Sequence, residues 1–209
     1  ANLQLVNHGL SSAGLFALVG MIYERFHTRN IANLGGIASK APWLAVFFML
    51  FTFSSIGLPG LNGFVGEFMI LLGSFQRAWS GVSPAWQFAY LVMALLAVAG
   101  VVLGAWYMLW AVERAIFGGS REPPRASGHG HDAGHGAAGT DHDRCDLRWY
   151  ELCAVLPLAV FVFWIGLAPA TFLAPAAPAV RKATAAPAAA FAARMQAETT
   201  ATVARITIP

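Results

Sequence analysis

Four apolar runs separated by polar segments set the pattern of this chain. The first, residues 3–23, is uncharged and just long enough to supply the roughly 20 residues that a bilayer-crossing helix needs. The second, from Trp43 to Gln76, is well over that length and contains one formal charge, Glu67. The third, residues 86–112, is uncharged and rich in aromatic residues. Trp106, Tyr107 and Trp110 near its end are placed like an interfacial aromatic belt. The fourth, residues 149–173, contains Pro157 and Pro169. Between the runs lie a polar connection over 24–42, closed by Pro42, a short turn from Arg77 to Pro84, and a hydrophilic stretch over 113–148. Residues 174–209 form an Ala/Pro-rich tail, too poor in large apolar side chains to count as a fifth span.

The second run organises the rest. A straight helix over residues 43–76 would extend about 50 Å at about 1.5 Å per residue, so a break is predicted. Gly57, Pro59, Gly60 and Gly63 cluster in its middle, where Pro59 removes a backbone donor and crowds the preceding turn. The predicted class is all-α: a polytopic transmembrane helix bundle with four spans, one of them broken near residues 57–63. The expected organisation is transmembrane helices over 1–117, including the broken helix 43–76, then a His/Gly-rich cytoplasmic loop over 118–148. The last transmembrane helix over 149–173 and the tail over 174–209 complete it. Small residues in the first run, Gly9, Ser11, Ser12, Ala13 and Gly14, would let a neighbouring helix approach closely.

Composition agrees with a membrane chain and excludes other classes. The sequence is 57% hydrophobic and only 11% charged, with a mean hydropathy of +0.60, whereas an ordinary soluble domain carries about 25% charged residues. The net charge of +3 comes from Lys and Arg scattered through the loops, so no nucleic-acid partner is expected. The loops over 24–42 (Arg25, Arg29, Lys40) and 113–148 (Arg114, Arg121, Arg125, Arg144, Arg148) hold more basic residues than the second loop, which has only Arg77. The basic side is expected to be cytoplasmic. Cys145 and Cys153 provide no disulfide framework. The chain starts at Ala1, inside an apolar run, and is expected to be the carboxy-terminal piece of a longer protein.

Glu67 leads the candidates for chemistry. A carboxylate at membrane depth is costly unless it faces protein or trapped water, and unwound backbone is tolerated there only where it is buried or lines a hydrated cavity. Glu67 therefore reads as a proton carrier whose affinity is set by burial and neighbouring charge; the alternative is a glutamate snorkelling to the interface. His8 lies among small residues in the first span and reads either as a proton relay or as a structural histidine bonded to a neighbouring helix. Asn7, Ser11, Ser12, Thr52, Ser54 and Ser55 could hold water along the same path, or bond back to their own helices. His27 is expected to anchor a loop, and Glu113 with Arg114 to form a membrane-edge salt bridge. His129, His131, His135 and His142, with nearby acids and Cys145, are weak metal candidates because their spacing matches no closed site. No phosphate loop, dinucleotide fingerprint, CxxC or HExxH occurs, so no cofactor is expected in this chain.

The runs NHGLSSAGLFALVGMIYERFHTRNI and GLPGLNGFVGEFMILLGSFQ resemble the M-type antiporter-like subunit of the proton-pumping NADH:quinone oxidoreductase, respiratory complex I. The resemblance covers roughly residues 2–117; the fourth span fits only by position and hydropathy, and the His-rich loop and tail do not match. It implies a parent bundle of about fourteen transmembrane helices built from two inverted repeats, each with one broken helix. In that family the buried glutamate of GFVGEF, here Glu67, terminates the subunit's proton path, and the histidine of HGLS, here His8, lies on a central axis of buried charges. The resemblance also implies other complex I membrane-arm subunits and the lipid bilayer as partners, with NADH, flavin, iron–sulfur clusters and quinone held in partner subunits. It implies a multi-pass location in the bacterial inner membrane. The competing assemblies are a multi-subunit cation/proton antiporter and a membrane-bound hydrogenase, which share the buried residues; a structural membrane subunit is the remaining alternative.

Overall fold

A computed structural model of the chain describes residues 2–79, 84–119 and 146–185, together with 189, 193 and 196–197. Every regular element among them is helical. Helix α1 spans Asn2–Phe26 and is followed by a 3₁₀ turn at Ile31–Asn33. Then come α2 (Ile37–Lys40), α3 (Pro42–Ser55), α4 (Asn62–Trp79), α5 (Pro84–Ala115), α6 (Trp149–Leu167) and α7 (Ala170–Leu173). Segments Asn2–Phe26, Trp86–Ala115 and Trp149–Leu167 are each long and apolar enough to cross a membrane. Helices α3 and α4 are the two halves of the broken span. At about 1.5 Å per residue they run about 21 and about 27 Å, so neither half alone covers the roughly 30 Å hydrocarbon core.

The break occupies residues 56–61, slightly earlier than predicted, and Gly63 belongs to α4. Its cause is a helix stop followed by a tight turn, and Pro59 does not act as a kink. Gly57 takes φ of 74°, and Leu58 N–H donates to the Phe53 carbonyl at 3.0 Å while Gly57 N–H donates to that of Ser54 at 3.4 Å. These paired bonds across a left-handed glycine form a Schellman stop. Pro59 and Gly60 (φ 93°) then occupy the corners of a turn that Leu61 N–H closes onto the Leu58 carbonyl at 3.1 Å, the residue pattern of a type II turn. Gly63 has no side chain because the Ser54 carbonyl lies where one would go.

Helix α1 sits between α3, α4 and α6. Leu18, Met21 and Ile22 pack with Leu44, Phe47 and Phe51 of α3 and with Val155, Ala159 and Val162 of α6. Of the small residues in α1, Gly14 carries the close approach, since the Phe51 ring would meet any added Cβ at 2.6 Å; Gly9 faces open space. Helix α5 packs mainly on α4 and leaves most of its apolar surface outward, as a bilayer or a neighbouring helix would require.

The connection over 24–42 is more ordered than its polarity predicts. Glu24, Arg25 and Phe26 still belong to α1, Leu34, Ile37 and Ala41 are buried, and Pro42 opens α3 as its first residue. Ala38 N–H donates to the Ile116 carbonyl at 3.0 Å and ties this connection to the end of α5. The final span ends at Leu167 and not at 173: Ala168, restricted by the Pro169 that follows it, leaves helical geometry at φ −130°, and Pro169 precedes the one-turn α7. Residues 177–185 are helical and exposed. The expected Glu113–Arg114 pair does not form; Arg114 lies over the Trp110 ring at 4.3 Å. Arg29 over Tyr23 (4.6 Å) and Arg77 over Tyr90 (5.3 Å) repeat that cation–π arrangement near span ends.

One ion-pair cluster fastens three helix ends. Arg25, in the last turn of α1, donates from both guanidinium nitrogens to Glu151 at 3.0 and 2.5 Å, and also to the Asp146 carbonyl at 2.9 Å. Asp146 turns its carboxylate to the N-terminus of α3, accepting from Trp43 and Leu44 N–H at 3.1 Å each. Glu151 accepts the Arg148 N–H at 2.7 Å, closing the first turn of α6. The carboxylates thus meet the positive ends of α3 and α6.

Candidate functional site

The helix stop in α3 and the restart in α4 bring polar side chains from distant parts of the sequence into one seam. From α1 come Gln4, Asn7, His8 and Ser11; from α3, Ser54 and Ser55; from α4, Asn62 and Glu67. Asn7 donates to the Asn62 carbonyl at 2.7 Å, and Asn62 returns a bond to the Asn7 carbonyl at 3.2 Å. Ser11 and Ser54 share a hydroxyl contact at 2.5 Å, and Ser54 donates to Asn62 Oδ1. These bonds pin α1 to both halves of the broken span at the break itself.

Glu67 lies one turn past the restart. Its carboxylate reaches back over Gly57 and fills the position that a β-carbon there would need. The Gln4 amide donates to Glu67 Oε1 at a long 3.5 Å, and Glu67 has no salt bridge among the described residues. The side chain is half-buried. It lines a cavity of about 430 Å³ walled by α1, the break and α5, and His8 and Ser12 line the same cavity. His8 Nε2 and Ser12 Oγ are 3.3 Å apart. A second space of about 20 Å³ lies between Gln4, Asn7, Ser11, Ser54 and Glu67, close to the size that holds one water. Among the described residues, Gln4 Oε1, Asn7 Oδ1 and Thr52 Oγ1 are buried with no hydrogen-bond partner, a costly state unless something else meets them.

The two leading candidates therefore share one cavity, His8 from α1 and Glu67 from α4. Ser11 and Ser54 are joined, Ser12 faces His8, and Ser55 lines the cavity wall. His27 stands outside this region, at φ 49° and edge-on to Tyr23. His129, His131, His135, His142 and Cys145 lie outside the described residues; within the described set no group of three metal-ligating side chains occurs. Sequence reasoning missed Gln4 and Asn62. The signal available was polarity itself: an amide inside an apolar run is a cost that usually has a partner.

A sequence family described as "NADH:quinone oxidoreductase/Mrp antiporter, TM" matches residues 1–96. NADH-quinone oxidoreductase subunit M of Rickettsia prowazekii is 36% identical over 170 residues, 81% of this chain and 29% of that protein. Subunit M of Rhodobacter capsulatus is 46% identical over 116 residues, 55% of this chain and 20% of its own length. The fold is similar to a chain of respiratory complex I from Thermus thermophilus with bound NADH, with a TM-score of 0.59 and 29% identity over 81% of this chain and 29% of that one. The chain thus spans under a third of the length of the relatives it matches. Over the residues they cover, these likenesses are to M-type antiporter-like subunits of NADH:quinone oxidoreductase, and the all-helical fold of the described residues, with its membrane-length helices, agrees with them.

Proposed function

We propose that this chain forms part of a membrane-arm subunit of NADH:quinone oxidoreductase, in which Glu67 takes up and releases a proton as part of translocation across the membrane. Electron transfer from NADH to quinone belongs to other subunits, which hold the flavin, the iron–sulfur clusters and the quinone. The observation that carries this reading is the setting of Glu67: a carboxylate with one long amide contact, beside interrupted backbone, on the wall of a cavity that also holds His8. A carboxylate held so loosely can change protonation without breaking a tight ion pair. Water in the cavity would meet the buried acceptors of Gln4 and Asn7 and connect Glu67 to His8, whose two ring nitrogens can pass a proton through. The same reading puts the chain in a bacterial inner membrane, with 24–42 and 113–148 on the cytoplasmic side and other membrane-arm subunits alongside.

The test is Glu67→Gln in the assembled complex, reconstituted in vesicles, with protons moved per NADH oxidised as the readout. The reading expects a lower ratio, with the complex still assembled. An unchanged ratio and rate would remove Glu67 from the path. The matching family description also covers the Mrp antiporters, so a second reading is a subunit of a cation/proton antiporter or a membrane-bound hydrogenase. Copurification of the chain with quinone-reducing subunits favours the first reading; cation/proton exchange without NADH favours the second.

A further inference from the structure

A groove of about 620 Å³ runs between α4 and α5. Its floor is made of small residues: Ala94 is fully buried there, and a β-carbon on Gly73 would meet no atom within 4 Å. Met69 and Met93 form half-exposed walls, flexible side chains that adapt to an irregular apolar guest. At one end Arg77, in the last turn of α4, lies over the Tyr90 ring at 5.3 Å. Trp86 lies 6.3 Å from the Tyr90 ring and Trp79 ends α4 two residues after Arg77; both are about two-thirds exposed, as indoles are at a headgroup interface. From Met69 to Arg77 the groove follows α4 for about 12 Å at about 1.5 Å per residue, the reach of a good part of one acyl chain.

From this geometry we infer that the α4–α5 groove binds an anionic phospholipid, one acyl chain lying over Gly73 between the methionines and the phosphate on Arg77. Shape alone would admit any apolar guest. The charge complementarity of Arg77, at the headgroup level marked by the two tryptophans, selects a lipid with net negative charge over a zwitterionic one. The site is separate from the Glu67 cavity and does not depend on the proton-exchange reading.

The experiment uses the native membrane assembly containing this chain, delipidated and re-equilibrated with phosphatidylglycerol or phosphatidylcholine carrying a diazirine in one acyl chain. Photolabelling is mapped by peptide mass spectrometry. Phosphatidylglycerol should label residues 69–77 and 90–94 more heavily than phosphatidylcholine. Arg77→Gln should lower the phosphatidylglycerol signal about five-fold, the worth of one basic residue near an anionic lipid, while Arg77→Lys keeps most of it. Gly73→Phe fills the groove and should remove labelling by both lipids. Equal labelling by the two lipids, or no change in Arg77→Gln, overturns the assignment. So does efficient crosslinking of Gly73→Cys to a neighbouring polypeptide, which would show that a protein segment covers the groove.

Discussion

Two carboxylates of the described helices, Glu151 and Glu67, are held in opposite ways. Glu151 is only 5% exposed and receives two bonds from Arg25 and one from the Arg148 backbone. Glu67 is half-buried, meets one amide at 3.5 Å, and faces a cavity large enough for several waters. A counter-charge at hydrogen-bond distance keeps a carboxylate ionised and makes it a fastening. A loose amide beside open volume leaves the carboxylate able to change charge. The first arrangement joins the ends of α1, α3 and α6; the second sits where α3 stops and α4 restarts. The same residue type therefore serves structure at one edge of the bundle and, on the reading proposed above, chemistry at its centre.

Substitutions can sharpen this contrast, and the largest effect is expected at the fastening. Arg25→Ala strands a buried carboxylate and should cost about 3–5 kcal/mol, read as a shorter thermal-inactivation half-life of the assembled complex. Replacing both partners, with Arg25→Met and Glu151→Leu together, should recover much of that loss; if it does not, the pair does more than fasten. Next is Gly57→Ala, which puts a β-carbon at positive φ and against the Glu67 carboxylate. It should cost about 1–2 kcal/mol from the backbone alone and also lower coupled proton transfer, because Glu67 must move. A change in stability without one in coupling would separate the break from the carboxylate's function. Asp146→Ala removes the cap on α3 and should cost about 1 kcal/mol, with the proton-to-electron ratio unchanged. Cys153→Ser, on an exposed face of α6, should alter stability by less than about 0.5 kcal/mol.

How much of this was legible in the sequence follows from how each feature is written there. The spans and Glu67 stand out because one charge in a long apolar run has few explanations. The break was legible in place because Gly57, Pro59 and Gly60 fall together, but its mechanism was not. The glycine stop depends on φ, so Gly63 was assigned to the break although it belongs to the restarted helix. The fastening was invisible for a different reason. Arg25 and Glu151 are 126 residues apart in the chain, and each by itself reads as a solvated charge at a span end. The order in residues 24–42 was hidden likewise, because Leu34 and Ile37 are buried by helices that the local pattern does not reveal. Asn62 and Gln4 were missed because an amide adds no formal charge to attract attention, yet they hold the seam and the carboxylate.

The most direct measurement is an infrared difference spectrum of the reconstituted complex, recorded as NADH is added, in light and in heavy water. If Glu67 changes its proton during turnover, a carboxyl C=O band that shifts on deuteration should appear and should be missing from Glu67→Gln. If the same spectrum is obtained from Glu67→Gln, or no carboxyl band appears in the wild-type complex, Glu67 is not the group that exchanges the proton.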